Sequence, residues 1–131
     1  SKARLRKPAY LPEAARDLLR SQMERHGDDM MMLMATVLML QYEAAEELAL
    51  NIAREPKLVR PGPGDRDTLN QLLPARFFDL QQQLARRARA VADAAKARDD
   101  ARIVKAYGSL AETCVACHST YFRGPPETGA E

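Results

Sequence analysis

VKAYGSLAETCVACHSTY, residues 104 to 121, places Val104, Tyr107, Leu110, Ala111, Cys114, Cys117, His118 and Tyr121 three and four positions apart. Residues so spaced share one face of an α-helix and would scatter over both faces of a strand. The spacing predicts a helix over about 100–122, capped by Asp99 or Asp100, whose apolar stripe runs into the two cysteines.

The same period recurs upstream. From about 74 to 97, Phe77, Leu80, Leu84, Ala88, Val91 and Ala95 face inward, Arg86, Arg87 and Arg89 face outward, and Pro74 suits a first turn. Only a brief break at Arg98, Asp99 and Asp100 separates this helix from the last. Before it, EPKLVRPGPGDRDT at 55–68 carries three prolines and two glycines, which break helix and strand alike and predict a long connection.

From about 41 to 54, Tyr42, Ala45, Leu48, Ala49 and Ile52 form a stripe away from Glu43, Glu46 and Glu47. The first helix is expected over about 11–38, with a seam of Leu19, Met23, His26, Met30, Leu33 and Val37. Met30, Met31, Met32 and Met34 read as core filler, flexible and polarizable. No Gly or Pro marks the join near 38–40.

No stretch alternates as a strand does, and no internal repeat is present. Four helical segments with two short joins and one long one predict an all-α, antiparallel four-helix bundle. It is expected as one domain over 1–131, with 1–10 and 124–131 as tails.

A chain of 131 residues, 46% hydrophobic, can bury a core, yet three Phe, four Tyr and no Trp leave room for another bulky apolar group. Its 20 basic and 18 acidic residues are dispersed, which argues against nucleic-acid binding. The longest apolar run, MMMLMATVLML at 30–40, is too short to span a bilayer. No charged-then-apolar leader opens the sequence, which predicts a mature, soluble protein.

Both cysteines and one of the two histidines fall within CVACH, residues 114–118. A disulfide there would close too small a loop to constrain the chain. A thioredoxin-like pair would stand at a helix N-terminus, and this pair lies deep in a helix. Structural zinc needs a fourth ligand beside Cys114, Cys117 and His118, and the only further Cys or His is His26, on another helix, which ranks zinc low. Cys-x-x-Cys-His is instead the attachment signature of c-type haem: each thiol adds across a vinyl group and the histidine becomes an axial ligand. The bland alternative is two core cysteines beside a helical histidine.

AYGSLAETCVACHSTYFR at 106–123, with its aromatic-Gly pair ahead of the motif and its aromatic-basic tail after it, resembles the class II cytochromes c, the cytochrome c prime group. MERHGDDMMML at 23–33 extends the resemblance to the first helix: in the low-spin branch a distal methionine precedes a glycine by four residues and another methionine by seven, as Met23 precedes Gly27 and Met30. The resemblance implies one haem c on Cys114 and Cys117, His118 as proximal and Met23 as distal ligand, and Met30, Tyr107 and Tyr121 around the group. An arginine that members place near a haem propionate is replaced by Leu19, leaving Arg16 and Arg20 beside it. Phe122 stands where members carry a basic residue, with Arg123 next, and the first join looks shorter than usual.

Three functions remain distinct at this point. An electron carrier uses His118 and Met23 together. A five-coordinate protein binding NO or CO leaves Met23 as core. A helical bundle without haem uses neither. For the first, Arg86, Arg87 and Arg89 can steer acidic redox partners. His26, one turn beyond Met23, would bind iron more strongly than a thioether if it reached, and otherwise reads as a partly exposed histidine. The resemblance further implies the periplasm and pairing of copies through the first two helices. No carboxylate pair or activated hydroxyl points to an enzyme.

Overall fold

Helices form wherever the three-and-four spacing runs unbroken. A computed structural model, which describes residues 13–55, 73 and 75–121, contains α1 (Glu13–Leu38), α2 (Tyr42–Arg54), α3 (Ala75–Lys96) and α4 (Asp100–Tyr121). Among the described residues there is no strand. Residues 11, 12, 74 and 122, at the edges of the expected helices, lie outside the described residues, as does most of the long connection.

Both short joins are built the same way. At the end of α1, Gln41 N–H donates to Thr36 O at 2.8 Å and Leu40 N–H to Val37 O at 3.2 Å, with Leu40 at φ 53°. At the end of α3, Asp99 N–H donates to Ala94 O at 3.2 Å and Arg98 N–H to Ala95 O at 3.0 Å, with Arg98 at φ 52°. This pair of bonds is the Schellman arrangement, which usually places glycine at the left-handed position. Leu40 and Arg98 occupy it without that freedom, so no glycine marks either corner in the sequence. Asp99 then caps α4, its Oδ1 accepting the Arg102 N–H at 3.1 Å.

The two corners meet. Tyr42 O–H donates to Asp100 Oδ1 at 2.6 Å, and the Arg98 guanidinium lies 5.3 Å from the Tyr42 ring centroid. The starts of α2 and α4 therefore share one end, and the chain runs up, down, up, down as a four-helix bundle.

The core draws on all four helices: Leu33 and Val37, Ala45, Ala49, Ile52 and Ala53, Ala88, Val91, Ala92 and Ala95, and Ile103 and Leu110. Its alanines let α2 and α3 approach closely. The α2–α3 and α3–α4 interfaces are the most extensive, and α1–α4 is slight. That weak seam is where the fold leaves space.

Three sequence expectations change. Ile103, 1% exposed, takes the core position on α4 that the stripe assigned to Val104, which is 64% exposed. Met31, Met32 and Met34 are exposed; only Met30 packs against the core. Arg87 turns inward between α3 and α4, leaving Arg86 and Arg89 outside.

Candidate functional site

α4 carries Cys114, Cys117 and His118 on one face near its C-terminal end, and that face opens on a cavity of about 270 Å³ with an almost wholly apolar lining. α1 contributes Gln22, Met23, His26, Gly27 and Met30; α3 contributes Phe77, Leu80 and Leu84. The seam of α1, the inward stripe of α3 and the cysteine stripe of α4 thus converge where α1 and α4 part.

Of the residues expected at a site, Met23, Met30, Cys114, Cys117 and His118 line this one cavity. Tyr107 stands behind the wall, its O–H donating to Met30 O at 3.4 Å. Arg20 is exposed and does not line the cavity. The side chains of Arg16 and Tyr121 lie outside the described residues.

Burial sets the protonation of the cysteines. It raises the Cys114 thiol above its ordinary 9.0, and it pushes Cys117 up to about 11, with Cys114 adding to the rise and Arg76 opposing it. Both are neutral thiols at neutral pH. His118 is shifted the other way: desolvation first, then charge on His26, lowers its pKa and favours the neutral imidazole that ligates metals.

Two polar features frame the site that spacing alone did not reveal. Arg87 Nη1 donates to Ser109 O at 2.8 Å and to Thr113 Oγ1 at 2.9 Å, immediately before Cys114, and Thr113 is 2% exposed. Glu55, just past α2, receives His26 Nε2 at 2.6 Å and Arg25 Nε at 2.7 Å. The first had no signal beyond a basic run. The second lies across a sequence separation that helical period cannot bridge. Gln22 and Thr113, polar yet buried, likewise fall outside an apolar pattern.

The donor set suits a planar organic group better than a bare ion. Among the described residues there is no group of three or more His, Cys, Asp and Glu side chains placed to hold a metal ion. Two neutral thiols one turn apart, an imidazole beside them and apolar walls match the attachment chemistry of haem c. Gly27 fits the same account: a Cβ there would meet nothing within 4 Å, so packing within the chain does not require this glycine.

Bundle and cavity together are compatible with a helical haem protein of the c type. The sequence model of the family described as Cytochrome C' matches residues 73–122, through α3, α4 and the cysteine motif, so that part of the chain is similar to the class II cytochromes c. The family implies haem c, with which Cys114 and Cys117 are compatible. α1, with Met23, lies outside the match. No curated protein and no solved structure matches the chain. No helix among the described residues is long and apolar enough to cross a membrane.

Proposed function

We propose that the chain is an electron carrier, with haem c joined through thioethers to Cys114 and Cys117 and ligated by His118 and Met23. The observation that carries this reading is that Met23 on α1 and His118 on α4 line the same apolar cavity. The bound group supplies the one-electron couple; the Met/His pair favours its ferrous state and raises the potential. The chain's part is to attach and ligate the group and to keep water from it with Phe77, Leu80, Leu84 and Met30. The role is carriage rather than catalysis.

The test is the absorption spectrum of the purified protein. Low-spin bands with a thioether charge-transfer band in the oxidised form are expected, and Met23→Ala should convert them to a high-spin spectrum that shifts with CO. A high-spin wild-type spectrum would overturn Met23 ligation and assign the cavity to NO or CO. Thioether formation in this class takes place outside the bacterial cytoplasm, so the periplasm is the compartment proposed.

Two surfaces suit partners. Arg86 and Arg89 remain exposed on α3 and can meet acidic redox proteins. Met31, Met34, Leu38, Met39 and Leu40 leave an apolar face exposed on α1 and its corner. That face supports pairing with a second copy.

A further inference from the structure

We propose that Glu55 holds His26 away from the iron and so leaves the sixth coordination position to Met23. This rests on the haem reading of the cavity. His26 lines that cavity one turn from Met23, and His118 lines it from α4, so both imidazoles border the same space. An imidazole nitrogen is a common metal ligand and a stronger one for ferric haem than a thioether. Something must therefore keep His26 from competing.

Glu55 is placed to do so. Its Oε2 accepts from His26 Nε2 at 2.6 Å, a short bond to an ionised acceptor. A ring nitrogen that donates its proton to a carboxylate has no lone pair left to offer a metal. Nδ1, the other nitrogen, lies beside Cβ and reaches less far. Arg25 fixes the carboxylate from the far side, donating from Nε to Oε1 at 2.7 Å. The bond also ties α1 to the end of α2, so His26 is held by a second helix as well as by its own rotamer. Glu55 thereby acts as a positioning residue: it does not line the cavity and works through His26.

The test compares ferric absorption and electron paramagnetic resonance spectra of the intact haem protein. Glu55→Ala is expected to lose the thioether charge-transfer band and gain a bis-imidazole low-spin signal, with a lower reduction potential. Adding His26→Gln to Glu55→Ala should abolish that signal and restore the wild-type spectrum. An unchanged spectrum in Glu55→Ala overturns the proposal, as does a bis-imidazole signal in the wild type. Should Glu55→Ala fail to fold, Glu55→Gln makes the same comparison at constant length: a His26-dependent bis-imidazole fraction supports the proposal and its absence overturns it. The wild-type spectrum alone tests the electron-carrier reading. If it is high-spin, Met23 is not the ligand, and a bis-imidazole signal in Glu55→Ala still upholds the hold on His26. Absence of covalent haem overturns both.

Discussion

Arg87 Nη1 lies 2.8 Å from the carbonyl oxygen of Ser109, joining α3 to the turn of α4 that precedes the cysteines. Hydrogen bonds from a charged donor contribute about 1.5–3 kcal/mol each. Arg87→Leu should lower stability by about 2 kcal/mol, whereas Arg86→Leu and Arg89→Leu, at exposed positions, should change it by about 0.5 kcal/mol or less. Urea unfolding midpoints of the three variants check this; equal midpoints would return Arg87 to the surface.

Ile103 and Val104 are neighbours with opposite surroundings, 1% and 64% exposed. Ile103→Ala removes buried methylenes and should cost about 2–5 kcal/mol. Val104→Ala should cost about 0.5 kcal/mol or less. Thermal unfolding separates the two by inspection of midpoints.

The cysteines make the haem-free chain sensitive to alkali. Their folded-state pKa values are raised, so the neutral thiols contribute stability fully below the ordinary value of 9.0, and that contribution is lost as pH climbs towards about 11 for Cys117. Alkylation of the folded apoprotein should accordingly be slow at pH 8 and accelerate with alkali, Cys117 trailing Cys114. Mass spectrometry of the two cysteine-containing peptides over time measures this, and fast modification of Cys117 at pH 8 would contradict it.

The left-handed positions of Leu40 and Arg98 offer stability to a smaller residue. Strain there is about 1–2 kcal/mol for a residue with a Cβ, partly offset by the greater chain entropy glycine loses on folding. Leu40→Gly should gain up to about 1 kcal/mol. Arg98→Gly should gain less, since it also removes the guanidinium from the Tyr42 ring. Denaturant midpoints rank the pair.

Met31 and Met34 stand on the exposed apolar face of α1. If a second copy covers that face, Met31→Lys and Met34→Lys should turn a dimer into a monomer in sedimentation velocity without altering the haem spectrum. A wild-type monomer at high protein concentration would remove the pairing proposal.

Most of the bundle was legible because helical period and corner chemistry act locally. Phe77, Leu80, Leu84, Ala88, Val91 and Ala95 could be placed inward from spacing alone, and the spacing in CVACH already put two thiols and an imidazole on one helical face. What spacing could not supply was the angular precision that separates Ile103 from Val104, since a stripe about 100° wide admits either neighbour. Nor could it distinguish methionines that fill a core from those that crowd its outer face; Met31, Met32 and Met34 surround the helix, and only the position of α2 and α3 decides which ones are covered. The links of Arg87 to Ser109 and of His26 to Glu55 are tertiary pairings, written in no local pattern.

The meeting of Tyr42, Arg98 and Asp100 gives the bundle a fast end and a slow one. At that end two tight corners are stitched to each other, and the first half of α4 is anchored by Ile103 and Leu110. The cavity lies towards the other, lined by α1, α3 and α4, where the α1–α4 contact is slight. Local opening in proteins proceeds in cooperative units of unequal stability. Amide hydrogens around Cys114 and Met23 should therefore exchange through fraying of one pole, while those near Ala94 and Ile103 wait for global unfolding. On the proposed haem reading, the cofactor would enter a chain that is already half folded, with the stitched corners keeping α1 and α4 in register until the thiols closed on it.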